Sequence, residues 1–155
     1  MRRHGNLPRV TVEVLHEVTD EVVEAFARLV PQLSATTAPP DRAALNSIIS
    51  SPAATVLVAR SGTKIVGSLT LIMFSIPTGL RARIEDVVVD ESARGQGIGE
   101  ALSLEALSIA RAAGARNVDL TTRPSRQAAG RLYEKIGFQP RETRVYRYRM
   151  QDPPD

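Results

Sequence analysis

The sequence predicts a mixed α/β domain, and three patterns predict it. Short runs rich in branched aliphatic residues at 10–15, 55–60, 64–74 and 80–89 have the length and spacing of strands. Between and after them, apolar residues recur three and four apart, as on helices that pack one face on a sheet. Finally, Ile84-Glu85-Asp86-Val87-Val88-Val89 runs through Asp90-Glu91-Ser92-Ala93 into Arg94-Gly95-Gln96-Gly97-Ile98-Gly99, a strand entering a glycine-rich turn and then a helix.

Taken in order, 10–15 alternates apolar and polar residues as a half-buried strand does, and Thr19-Asp20-Glu21 offers a helix start with acids in the first turn. Val22, Phe26, Leu29 and Val30 keep a helical period until Pro31, where the helix is expected to close. A polar loop over 34–40 leads to Asp41, a cap for a short second helix to about Ser50. Residues 55–60 and 64–74 read as a hairpin around a three-residue turn, Ser61-Gly62-Thr63. A second turn over 76–79 leads into 80–89, so three consecutive strands are antiparallel.

A third helix carries Leu102, Ala106, Leu107 and Ala110 and stops at Gly114. The short strand expected over 117–121 is separated from Val87-Val88-Val89 by that helix. It therefore joins the same neighbourhood in parallel through a right-handed crossover, making the sheet mixed. Ser125 is the expected cap of a fourth helix ended by Gly137. From Phe138 onward the pattern returns to strand, with Tyr146, Tyr148 and Met150 on one side and Val145, Arg147 and Arg149 on the other. Residues 1–8 and 151–155 read as flexible tails.

Composition narrows the chemistry. With 155 residues, 43% of them hydrophobic, the chain suits one domain with a sizeable core. It has no cysteine, so disulfides, thiolate metal sites and cysteine nucleophiles are excluded, and its two histidines lie near the start, so no metal site is expected. No apolar run approaches the roughly 20 residues of a membrane span and no signal-type core follows Met1, so a cytoplasmic protein without membrane association is expected. The net charge is only +3, but Lys64 and Lys135 are the only lysines; arginine suits phosphate recognition and also follows from an alanine- and arginine-rich composition. No stacked-aromatic motif points to nucleic acid as a partner.

The glycine turn is the strongest functional signal. Glycines at 95, 97 and 99 let backbone N–H groups converge where a Cβ would obstruct them, next to the unpaired N–H groups of a helix start. That is an anion site suited to a diphosphate. The spacing, G-x-G-x-G after an arginine and without a lysine and a serine or threonine following it, fits neither the dinucleotide fingerprint nor the P-loop.

Arg94-Gly95-Gln96-Gly97-Ile98-Gly99 resembles the R/Q-x-x-G-x-G/A signature of the GNAT superfamily of acyl-CoA-dependent N-acyltransferases, and Ala128, Tyr133, Gly137 and Phe138 match the superfamily's A-x-x-x-x-Y-x-x-x-G-F pattern. The element order resembles it over nearly the whole chain. Ser125 stands where the second motif often begins with asparagine. Glu85-Asp86-Val87-Val88-Val89 resembles the matching strand of glucosamine-6-phosphate N-acetyltransferases. The resemblance implies a single N-acetyltransferase domain over 1–155: a mixed, mostly antiparallel twisted sheet, flanked by about four helices, whose parallel central strands splay around an acyl-CoA cleft.

It also implies roles. Backbone groups of Arg94, Gly95, Gln96, Gly97, Ile98, Gly99 and Glu100 would hold the pyrophosphate of acetyl-CoA, the expected cosubstrate, with no metal. Backbone groups of Val87, Val88 and Val89 would pair with the pantetheine arm and offer an N–H to the thioester oxygen, with Thr121 and Ser125 as further pantetheine contacts. Tyr133 would protonate the leaving sulfur. Glu85 or Asp86 would take the proton of the amine, directly or through water; a bulge decides which faces the cleft. Arg131 and Lys135 would reach the adenosine phosphates.

The implied function is direct transfer of an acetyl group from acetyl-CoA to a primary amine, a small molecule or peptide, in a ternary complex. The alternative is a non-catalytic acyl-CoA-binding or regulatory module. The apolar side of the C-terminal strand also suits a homodimer.

Overall fold

The structure is a computed structural model, and it describes residues 9–150. Within them a five-stranded sheet runs in the order β1 (Val10–Val14), β2 (Ala54–Ser61), β3 (Lys64–Ile76), β4 (Gly79–Val89), β5 (Val118–Asp119). The first four strands are antiparallel neighbours, and β4 and β5 are parallel. Helices α1 (Asp20–Leu33), α2 (Arg42–Ser50), α3 (Ile98–Ala112) and α4 (Gln127–Lys135) flank it. This is the mixed, mostly antiparallel architecture expected.

Two apolar clusters occupy the two sheet faces. Leu57, Leu69, Leu71, Ala82 and Ile84 pack against Ile98, Leu102, Ala106 and Ala110 of α3. On the other face Val56, Val58, Ile65 and Val88 pack against Val22, Ala25 and Leu29 of α1 and Leu45 of α2. Leu29, Leu57, Leu69, Leu71 and Leu102 are fully buried, each stabilising the fold by about 1.5–3 kcal/mol. Gly67 on β3 makes the α3 contact possible: a Cβ there would stand 3.0 Å from Ile98 Cγ2 and 3.1 Å from the Val88 carbonyl oxygen.

The helix starts follow the sequence. Thr19 Oγ1 accepts from Val22 N at 3.4 Å and Asp41 Oδ1 from Ala44 N at 2.8 Å, each satisfying one N–H that the helix leaves open. Four boundaries differ from expectation. Helix α1 continues through Pro31 to Leu33, because proline in a last turn forfeits only one backbone bond and Ser34 N still reaches Val30 O at 2.9 Å. The first hairpin turn has two residues rather than three, since Ser61 pairs with Lys64. Strand β5 holds two residues where five were expected. Ser125 does not cap α4, whose N-cap is Arg126 without a side-chain bond.

The expected C-terminal strand is absent from the described residues. Residues 139–150 are irregular, and Val145, Tyr146, Tyr148 and Met150 are 75–85% exposed. Alternation there finds no strand to pair with, so β5 is the last strand of the described sheet. The tails at 1–8 and 151–155 lie outside the described residues.

Candidate active site

The site starts from a break in β4. Opposite Ser68 and Thr70 of β3 stand Val88 and Glu85, so two residues, Asp86 and Val87, face the single Leu69. Asp86 takes φ +51°, a left-handed conformation unusual for a residue with a side chain. This bulge inverts the alternation of the strand. Ile84 packs on the α3 face and Val88, an even number of residues away, on the α1 face, and two carboxylates and three valines are thereby redistributed around one point of the sheet.

The second break lies between β4 and β5. Their pairing lasts only for Ala82 with Val118 and Arg83 with Asp119. Beyond it the edge of β4 has no strand beside it among the described residues, and two cavities open there. The larger, about 780 Å³, is lined by Val87, Val88 and Val89, by Arg94, Gly95, Gly97, Ile98, Gly99 and Glu100, by Ser125 to Ala129 and Leu132, and by Tyr133. The smaller, about 500 Å³, is lined by Glu85, Asp86 and Val87, by Thr121, Thr122, Arg123 and Arg126, by Val145 and Arg147, and again by Tyr133.

Gly95 and Gly97 have φ +79° and +76°, so the turn demands residues without a Cβ. Helix α3 begins immediately after, with no side-chain cap. Its first backbone bond is Ala101 N to Gly97 O at 3.0 Å, which leaves the N–H groups of Ile98, Gly99 and Glu100 without helical partners at the cavity wall. The helix dipole adds a positive potential there, contributing about 0.3–1 kcal/mol toward an exposed anion. Gly99 differs from the other two: its φ is not positive, and a Cβ there would make ordinary contacts, 3.4 Å from Leu132 of α4 and 3.8 Å from Val89, so neither strain nor space requires glycine at this position.

Tyr133 is half-buried on α4, edge-on to Phe138 with ring centroids 5.6 Å apart. Burial raises its phenol above the ordinary 10.0, and the Arg126 guanidinium opposes that rise. The group therefore holds its proton at neutral pH and can donate it. Among the carboxylates, Glu85 Oε1 accepts from Arg83 Nε at 3.1 Å, while Asp86 has no ion-pair partner among the described residues.

The sequence-predicted residues thus divide between the two cavities. Gln96 is exposed in the turn and lines neither; Thr121 lines the smaller cavity with the carboxylates and Val87, and not the larger one. Arg131 also lines neither cavity, and Lys135 instead pairs with Glu100 at 3.1 Å, tying α4 to the first turn of α3.

Sequence reasoning missed the support of the turn. Asp90, 4% exposed, accepts from Ser92 N at 3.0 Å, Ser92 Oγ at 2.9 Å and Arg28 Nε at 3.1 Å. These bonds, the Ser92 N–H foremost, hold its carboxyl below the ordinary range although burial works the other way. Gln32 Oε1 accepts from Glu91 N at 2.9 Å, and Gln32 and Leu33 line the larger cavity. The Asp-x-Ser spacing of a local side-chain turn was a readable signal for Asp90. Closing α1 at Pro31 hid Gln32 and Leu33.

Comparison with known proteins gives this geometry a context. The acetyltransferase (GNAT) family model matches residues 16–138. A glucosamine 6-phosphate N-acetyltransferase of Trypanosoma brucei brucei is 41% identical over 85 residues, which is 53% of this chain and 56% of that protein, so the chain spans little more than half the length of that relative. Among solved structures, an acetyltransferase of Trypanosoma brucei is 29% identical with a TM-score of 0.75, covering 92% of this chain and all of that one. A transcriptional regulator from Bacillus halodurans is 30% identical with a TM-score of 0.73, covering 90% and 99%.

Proposed function

Because the chain belongs to the acetyltransferase (GNAT) family, we propose that it moves an acetyl group from acetyl-CoA to a primary amine by direct attack in a ternary complex. One observation carries the reading: Leu33, Val87, Arg126, Ala129 and Tyr133 line both cavities, so the cleft beside the glycine turn and the carboxylate-bearing pocket meet at the Tyr133 phenol, which burial holds in its protonated form.

In this reading the backbone turn Arg94 to Gly97 and the free N–H groups of Ile98, Gly99 and Glu100 bind the pyrophosphate. The edge of Val87 to Val89, with no strand beside it among the described residues, aligns the pantetheine arm, and an N–H from that edge stabilises charge on the thioester oxygen. Acetyl-CoA supplies the activated acyl group. Asp86, without an ion-pair partner among the described residues, takes the proton of the incoming ammonium directly or through a water, with Glu85 held aside by Arg83. Tyr133 gives its proton to the departing sulfur. Transfer is direct, because a covalent acyl-enzyme would lack its usual cysteine nucleophile in this chain.

The same proposal covers a single cytoplasmic domain over 1–155 and a homodimer, the latter supported by the outward-facing Tyr146, Tyr148 and Met150. A non-catalytic acyl-CoA-binding regulator is the second reading, favoured by the similarity to a protein described as a transcriptional regulator. Calorimetric titration with acetyl-CoA, followed by release of free CoA with a panel of amines, separates the two. Saturable binding with turnover supports the enzyme; binding without turnover across the panel supports the regulator; no binding by folded protein overturns both.

A further inference from the structure

Acetyl transfer itself needs a base and an acid in the smaller cavity, but that cavity also holds three arginines. Arg123 and Arg126 come from the segment between β5 and α4, and Arg147 from the C-terminal run, while Glu85 and Asp86 come from β4. One wall is thus acidic and another basic. Arg28, Arg42, Arg60 and Arg83 each engage a carboxylate, whereas Arg123, Arg126 and Arg147 have no ion-pair partner among the described residues. All three are solvent-exposed, and guanidinium groups that converge on one pocket without a carboxylate partner suit an incoming phosphate or carboxylate. Arg126 also lines the larger cavity, so Arg123 and Arg147 belong to the smaller one alone.

We infer that the acceptor is an amine that also carries an anionic group, a phosphate or a carboxylate, bound by Arg123 and Arg147 while its amine lies against the β4 carboxylates. The inference rests on reading the smaller cavity as the acceptor pocket. A dipolar pocket orients such a molecule end to end: reversed, it would set ammonium against guanidinium and anion against carboxylate. The orientation brings the amine toward Tyr133 and Val87, where the two cavities meet. A polycationic acceptor such as an aminoglycoside meets repulsion from the arginines, and a neutral one leaves them unpaired.

The test is CoA release measured with matched amines: glucosamine against glucosamine 6-phosphate, and propylamine against β-alanine, with an aminoglycoside alongside. The expected result is a kcat/KM about 10-fold or more higher for the charged member of at least one pair. The first pair reports on phosphate and the second on carboxylate. That ratio falls about 10-fold in Arg123→Ala and in Arg147→Ala, shrinks with added salt, and reverses in favour of the aminoglycoside when both arginines become glutamate. Because each ratio is taken within one variant, a general loss of activity cancels. Turnover that is equal or faster with the uncharged or polycationic acceptors overturns the inference and leaves the acetyltransferase reading standing. Binding of acetyl-CoA without turnover of any amine overturns that reading, and this inference falls with it.

Discussion

Arg28 Nε donates to Asp90 Oδ2 at 3.1 Å, joining the middle of α1 to the residue that opens the glycine turn, 62 positions later in the chain. A second nitrogen of the same guanidinium donates to Ile65 O at 2.6 Å. One side chain therefore fastens α1 to β3 and to the start of the glycine turn. Asp90 in turn holds Ser92, so the loop geometry is set from α1 as well as from its own glycines.

Removing this tie has a defined consequence. Arg28→Ala leaves a buried carboxylate without its charged donor and should cost about 1–3 kcal/mol of stability by urea unfolding at neutral pH. The pH dependence follows from the lowered carboxyl of Asp90. A group depressed on folding contributes stability above its unfolded pKa and loses it as pH falls through the folded one. The difference between wild type and Arg28→Ala should therefore be full at neutral pH and narrow once pH drops below the ordinary aspartate value of 3.8.

Gly97→Trp should abolish saturable acetyl-CoA binding by calorimetry while leaving the far-ultraviolet spectrum unchanged. The backbone at φ +76° disfavours any side chain, although no atom lies within 4 Å of the position where a Cβ would stand. The substitution thus strains the loop by about 1–2 kcal/mol and fills the cleft without striking the core. Binding retained within about twofold would show that the turn is a connection and not a ligand site.

Gly67→Val acts from behind the same helix. With Ile98 Cγ2, the Val88 carbonyl oxygen and Leu102 Cδ1 all within 3.0–3.3 Å of an added Cβ, α3 must move off the sheet. The expected loss is about 1–3 kcal/mol, read as a lower thermal midpoint, with weaker acetyl-CoA binding because Ile98 begins the helix that carries the free N–H groups.

Tyr133→Phe should lower kcat about 10- to 100-fold with little change in KM for acetyl-CoA. The pH profile supplies a sharper reading. Since burial raises the phenol, the wild type should keep its activity until the pH exceeds 10.0, the ordinary value, and then lose it as the phenol ionises. In the phenylalanine variant that alkaline fall should vanish; if it persists unchanged, another group sets it.

Asp86→Asn should reduce kcat by about 100-fold and Glu85→Gln by less than about 10-fold. Asparagine tolerates the left-handed backbone at φ +51° at least as well as aspartate, so loss of activity in that variant reports chemistry rather than folding. The reverse ranking would make Glu85 the base.

Much of this protein is written locally. The apolar periods of α1 and α3, the caps Thr19 and Asp41, the hairpins around Gly62 and Gly79 and the glycine turn at 95–99 each depend on neighbours a few residues away. Such features can be read because backbone conformation and short-range hydrogen bonds are decided within a turn of chain. The parallel placement of β5 was likewise legible, because an intervening helix leaves few other routes.

Long-range packing decided the rest. Whether Pro31 ends a helix depends on what lies beyond its last turn, and only α1 continuing to Leu33 brings Gln32 to Glu91. Whether 144–150 pairs as a strand depends on a partner edge that alternation cannot supply. The bulge at Asp86 and Val87 comes from the mismatch between β3 and β4, so the face each carboxylate takes is a property of two strands and not of one. The meeting of two cavities at Tyr133 required β4 and β5 to part after two residue pairs. Sequence alone determined the local geometry of the glycine turn; tertiary structure decided which residues stand around it, because those distances are set by how sheet and helices close on one another.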